Sequence, residues 1–176
     1  MAKTLRTMKH LNLSKPLWLP SLAPSLQKHY WANSPREMCG IVQRLKDGSF
    51  HFTLFENKTD QNPHTCFQID PIQVLQCCEQ SVQEGIQMCA WIHSHPGGSS
   101  RASLADSAFW WADRTWLWPR MDQVIIWPKS SKDLNLSVYG PQTNIERPIP
   151  RWQGPLNRKN SRITVDRSGA MEHTIC

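Results

Sequence analysis

The sequence contains no cysteine pair at CxxC spacing, although it holds six cysteines, at positions 39, 66, 77, 78, 89 and 176. The thiols lie scattered in ordinary segments, and read as reduced side chains of a cytosol-made protein rather than a disulfide framework. No window approaches the ~20 apolar residues of a membrane span. The basic N-terminus, MAKTLRTMKHLNLSKPLWLP, never reaches an apolar run long enough for a secretory signal. A soluble protein, not exported by a standard route, is the expectation. No basic helix and no aromatic-basic sheet pattern occurs. The net charge of +6 and pI near 9.2 therefore imply weak attraction to acidic partners but not a nucleic-acid partner. Internal repeats are absent too, and 176 residues suit one compact domain with tails.

What is present divides into three parts. Residues 1–20 read as a basic tail, with Pro16 and Pro20 opposing a long helix. Residues 21–140 read as the domain, and residues 141–176 as a Pro-rich basic arm. Within the domain, SLAPSLQKHYWAN places Leu22, Leu26 and Tyr30 near helical spacing. A short strand is expected over Met38–Val42, a turn at Asp47-Gly48, and a second strand in SFHFTLFEN with period-2 alternation. Phe67-Gln68-Ile69 reads as a further brief strand. Asp70 and Pro71 start a helix whose expected inner face is Ile72, Leu75, Cys78 and Val82. The continuous run Met88–Ile92 predicts a strand buried on both faces. A helix is expected from Ser103 through the tryptophan-rich SLADSAFWWADRTWLW. Strands at 124–127 and 134–139 should pair across KSSKD. The fold class that follows is α/β or α+β, a small sheet with two or three helices.

The stretch WIHSHPGGSSRASLAD carries the chemistry. His93 and His95 are two residues apart at the end of an extended run, so both imidazoles point to one side. Ser103 and Asp106 are three apart at a helix start and share a face. If the PGGSS loop folds the helix start over the strand end, two imidazoles and a carboxylate converge, leaving a fourth position for water. That is the ligand set of a catalytic zinc site. SLAD is also a capping pattern, with Ser103 at the N-cap and Asp106 at N3, and one turn can serve both purposes. Cys39, next to Gly40 in an apolar run, reads as a buried structural cysteine. The dense tryptophans, Trp110, Trp111, Trp116, Trp118 and Trp127, read equally as a wide buried face or as an exposed contact surface.

The pattern H-S-H-P-x6-S-x-x-D, with Glu37 ahead of a strand in PREMCGIV, resembles the metal-binding motif of the JAMM proteases, the catalytically competent MPN or JAB domains. The resemblance covers about residues 21–140. It implies a mixed sheet flanked by helices in a cytidine-deaminase-like layout. It implies a zinc held by His93, His95 and Asp106, Glu37 as general base, Ser103 as oxyanion donor, and a protein or peptide substrate. A zinc ion in such a site lowers the pKa of bound water from ~15.7 to ~7. The order PRE-x-CG, HSHP and Trp127-Pro128 also resembles the JAB half of tail assembly proteins of lambda-like phages. That likeness implies other phage tail proteins as partners, and a place in the host cytoplasm during assembly or in the virion tail. Alternatives of other classes are an inactive JAB-fold virion scaffold and a cellular enzyme that trims a ubiquitin-like protein.

Overall fold

The computed structural model describes residues 15–112, 115–118, 120–141, 150–156, 164–165 and 171–172. The chain runs α1 (Leu19–Asn33), β1 (Cys39–Arg44), β2 (Phe50–Phe55), α2 (Pro71–Gln83), β3 (Gln87–Ser94) and α3 (Leu104–Trp110). There follow β4 (Trp111–Ala112), β5 (Thr115–Trp116), β6 (Asp122–Pro128), β7 (Leu134–Tyr139) and β8 (Trp152–Pro155). Two short strands, β9 (Thr164–Val165) and β10 (Met171–Glu172), pair with each other. The main sheet has six strands in the order β2-β1-β3-β6-β7-β8. It is mixed: β3 and β6 run parallel and the other neighbours antiparallel. The expected α+β class is therefore the one observed.

Strand alternation divides the core between the two faces of this sheet. One face presents Met38, Val42, Ala90, Ile92, Val124 and Ile126 to α1, which buries Leu19, Leu22, Ala23, Leu26 and Tyr30 along one stripe. Trp18 and Leu19, assigned to the tail by composition, belong to this core. Pro20 does not oppose the helix. In the first turn its missing N–H needs no partner, so it helps to start α1. The opposite face presents Cys39, Ile41 and Trp91 to α2, and Ile125 and Tyr139 to Trp110 of α3. β3 lies between β1 and β6 and is covered on both sides, as its apolar run predicts.

The β1–β2 hairpin closes as the sequence indicates. Asp47 Oδ1 accepts from Ser49 N at 2.9 Å, and Gly48 sits at a φ of 83°, a conformation that favours glycine. At Gly40 the two strands approach so closely that a Cβ would lie 2.2 Å from the Thr53 carbonyl oxygen. β6 and β7 pair across residues 129–133, with Trp127 opposite Asn135.

Four further expectations need correction. Phe67-Gln68-Ile69 is loop, not strand. The helix after Ser103 stops at Trp110, and β4 and β5 form a small ribbon in its place. Successive indoles on a helix diverge by ~100°, whereas the ribbon sets Trp116 against both Trp110 and Trp111, with ring centroids 6.2 and 5.2 Å apart. The tryptophans thus turn inward: Trp110 and Trp116 are buried, and Trp111, Trp118 and Trp127 half-buried. Helix α2 is rotated from its expected setting, burying Cys77 and Ser81 while Ile72, Leu75 and Val82 stay exposed. The reason lies in β1. Gln43 is buried there, and its amide donates to Ser81 Oγ at 2.8 Å and accepts from Thr53 Oγ1 at 2.7 Å. A helix presenting Leu75 at that point would leave a buried amide unpaired. Finally, Trp152–Pro155, placed by composition in the C-terminal arm, is the sixth strand of the sheet. Leu156 behind it is 1% exposed, and Arg151 pairs with Asp122.

Candidate metal centre

His93 is at the end of β3, and His95 follows one residue beyond it. Ser94, between them, points to the other face, as alternation requires. Its Oγ accepts from Met38 N at 2.8 Å while its own N–H donates to the Met38 carbonyl at 2.9 Å. This two-bond link ties the end of β3 to the residue after Glu37. Sequence reasoning gave Ser94 no role, and its placement makes it a positioning residue for that glutamate.

The loop from His95 to Ser103 folds the start of α3 over the strand end. Gly98 takes a φ of 86° within it. His95 Nδ1 lies 3.1 Å from the Ser99 carbonyl oxygen, so this nitrogen carries the proton and Nε2 faces inward. Ser103 caps α3. Its Oγ accepts from Asp106 N at 3.1 Å, and Asp106 Oδ2 accepts from Ser103 N at 2.6 Å. The capping box and the ligand helix coincide, because the cap orients the same carboxylate that meets the histidines. His93 Nε2 is 3.0 Å from Asp106 Oδ1, His95 Nε2 is 3.4 Å from Asp106 Oδ2, and the two Nε2 atoms are 3.1 Å apart.

This convergence fits a metal ion. A tetrahedral zinc with bonds of ~2.0–2.1 Å holds its ligand atoms ~3.3 Å apart, close to the separations found here. His93, His95 and Asp106 can therefore hold a metal through two nitrogens and an oxygen. The electrostatics agree at His93. Burial lowers the pKa of His93 and keeps it neutral, as a metal ligand must be. For His95 burial acts downward too, but the Asp106 and Glu37 carboxylates and the Ser99 carbonyl together outweigh it and the net shift is upward. Burial alone would raise Asp106, yet hydrogen bonds from both histidines hold its carboxyl well below the usual range.

Glu37 stands just before β1, only 4% exposed. Burial pushes its carboxyl up to about 7, with His95 opposing the shift and Asp106 adding to it. Its backbone is held on both sides: Glu37 N donates to the Pro63 carbonyl at 2.7 Å, and Asn57 Nδ2 donates to the Glu37 carbonyl at 3.1 Å. Asn57 also bonds the Cys66 carbonyl through Nδ2 and the Gln68 N–H through Oδ1. The 57–68 loop is thereby fixed as one wall of a 790 Å³ cleft with Glu37, His95, Ser103 and Asp106 at its base. Nothing in the sequence distinguished Asn57 from its polar neighbours, and the loop itself read only as a polar connection. Cys39 is fully buried on the face that carries His93. Burial, with the Glu37 charge nearby, pushes its thiol up to about 12, which removes it from consideration as a nucleophile.

A two-histidine, one-carboxylate triad at the end of a mixed sheet, beside a buried glutamate, defines an α+β domain with a place for one metal ion. Residues 20–133 match the family model described as prokaryotic homologs of the JAB domain, and the chain belongs to that family. Among solved structures, a solution structure of a protein from Desulfitobacterium hafniense aligns with a TM-score of 0.52 at 21% identity, covering 68% of this chain and 81% of that one. At that identity the likeness concerns the fold. A solution structure of a protein from Salinibacter ruber aligns with a TM-score of 0.45 at 16% identity, over 89% of this chain and 96% of that one. No protein with a curated description matches the chain. Among the described residues no helix is long and apolar enough to cross a membrane.

Proposed function

We propose that the chain is a metal-dependent amide hydrolase of the JAMM type, a peptidase or isopeptidase, with zinc as its metal. The observation that carries this reading is the convergence of His93, His95 and Asp106 beside buried Glu37 at the base of an open cleft. A zinc ion held by His93, His95 and Asp106 would supply a Lewis acid and the means to ionise water near neutral pH. Glu37, with a carboxyl near 7, is suited to take a proton from water and hand it to the leaving amine. Water and amide thus become carboxylic acid and amine, with Glu37 restored to its starting state. Ser103 Oγ accepts from the helix N–H, so its own hydrogen is available to a developing oxyanion; such a donor is worth roughly 2.7–4 kcal/mol in favourable cases. His95 is held in its tautomer by Ser99, and Asp106 is oriented by the cap.

A narrower assignment rests on the order of PRE-x-CG, HSHP and Trp127-Pro128, which resembles tail assembly proteins of lambda-like phages. On that basis the substrate is a protein of a phage tail, met in the host cytoplasm during assembly or in the virion. The test is elemental analysis of untagged protein beside His95→Ala and Asp106→Ala, followed by hydrolysis assays on peptides, phage tail proteins and ubiquitin-like fusions. About one zinc per chain in wild type and little in either variant is expected. Wild-type protein that takes up no metal after zinc is added back sinks the reading, and leaves a JAB-fold scaffold. Cleavage of ubiquitin-like fusions in preference to tail proteins replaces the phage assignment with a cellular one.

A further inference from the structure

Apart from the ligands and Glu37, the ionisable side chains that line the cleft are Arg101, His64, whose Nδ1 lies 2.8 Å from the Pro35 carbonyl oxygen, and Cys66. The far wall of the cleft offers Thr59, Gln61, Thr65 and Gln68, all uncharged, and Arg101 is its one arginine, with no lysine beside it. Among the described residues the guanidinium of Arg101 has no partner, whereas its backbone is closely held. Ser99 Oγ donates to the Arg101 carbonyl at 3.3 Å and accepts from Arg101 N at 3.2 Å. The next links outward are firm as well. The Ser99 carbonyl accepts from His95 Nδ1, and the Ser100 carbonyl accepts from Ser137 Oγ at 3.2 Å and Tyr139 Oη at 3.0 Å. Arg101 thus stands on a loop fastened to one metal ligand on one side and, through Ser103, to another.

We propose, building on the metal-hydrolase reading above, that Arg101 is a specificity-determining residue which selects substrates carrying a carboxylate close to the scissile amide. Asp106 is committed to the histidines and the helix cap, so it does not neutralise the arginine. A divalent ion held at the triad would add positive charge to the same cleft. A guanidinium whose backbone is fixed and whose donors are free matches a carboxylate with two parallel hydrogen bonds. That carboxylate is either the free C-terminus of the leaving residue or an acidic side chain beside it.

The test uses the full chain loaded with zinc and two pairs of hydroxamate-capped peptides, read by titration calorimetry. In the first pair a C-terminal alanine carries a free carboxylate or a carboxamide. In the second, a carboxamide-terminated residue is glutamate or glutamine. The hydroxamate is the metal-binding element common to all four. In wild type the carboxylate member of one pair should bind about two- to fivefold more tightly at low salt, since Arg101 is exposed and its charge is screened. The pair that shows the preference identifies the source of the carboxylate. Arg101→Gln should abolish the preference and Arg101→Glu should reverse it, with zinc content unchanged in both. Equal binding within both pairs in wild type, or a preference that survives in Arg101→Gln, overturns the inference while leaving the metal site intact. Failure of all four probes, with no zinc retained, overturns the hydrolase reading and this inference with it.

Discussion

The buried carboxyl of Glu37 makes a prediction about stability that needs no substrate. Its pKa of about 7 in the folded chain compares with 4.5 for an unperturbed glutamate. The folded state therefore holds this proton more tightly than the unfolded state does. Between pH 4.5 and 7 the unfolded chain ionises first, so stability falls as pH rises, and above 7 the loss is complete. A difference of this size at ~1.4 kcal/mol per pH unit amounts to about 3 kcal/mol. Glu37→Gln keeps the shape and removes the charge. In metal-free protein the variant and wild type should have similar stability near pH 4.5, and the variant should be more stable by about 3 kcal/mol at pH 8. Urea unfolding of both proteins at half-unit pH steps gives the difference curve, which reports Glu37 together with its coupling to His95 and Asp106. A flat difference across this interval would mean that the carboxyl is not desolvated, and the case for Glu37 as a proton carrier near neutral pH would fail. The same variant should bind zinc normally and show no turnover.

Other outcomes follow from single contacts. Ser94→Ala removes the acceptor for the buried Met38 N–H, and should cost about 1–3 kcal/mol and lower turnover while leaving metal content intact. Gly40→Ala drives a methyl into the Thr53 carbonyl, and should destabilise by roughly 3 kcal/mol or prevent folding, as measured by denaturant midpoint. Added zinc at about a hundred times its Kd should stabilise wild type by ~2.7 kcal/mol in thermal unfolding, and Asp106→Ala much less. Cys39 should resist thiol reagents in the folded protein and react only on unfolding, whereas half-buried Cys66, on the cleft wall, should react in the folded state. Mass mapping of the labelled peptides distinguishes the two.

The parts of this fold that were legible in the sequence are those fixed by local rules. Alternation set His93 and His95 on one side and Ser94 on the other, and a capping box brought Asp106 into orientation without reference to the rest of the chain. The strand over Met88–Ile92 announced its position at the centre of the sheet because it is apolar on both faces. Elements whose setting depends on partners distant in sequence were not legible. The apolar spacing of Ile72, Leu75 and Val82 pointed to the wrong face of α2, since the decisive contact is a hydrogen bond from Gln43, 38 positions before Ser81. The helix expected through Trp111 yielded to ring packing among residues that have no helical period. Asn57 reveals itself only when the three backbone segments it joins are seen together.

The sixth strand changes where this domain ends. The family match stops at residue 133 and composition shifts after Gly140. Yet β7 takes its outer partner from Trp152–Gly154 and Pro155, and Leu156 fills the space beside Leu134 and Leu136. A chain cut near residue 140 would present the whole length of β7 to solvent as an unpaired edge, with apolar side chains on its inner face. Such an edge is a template for association between copies. The ion pair of Arg151 with Asp122 would be lost at the same cut, removing the fastening that brings the returning segment back across the sheet. Residues that look like a tail by composition act as the hem of the sheet, and shortened versions of this protein should keep them through Leu156.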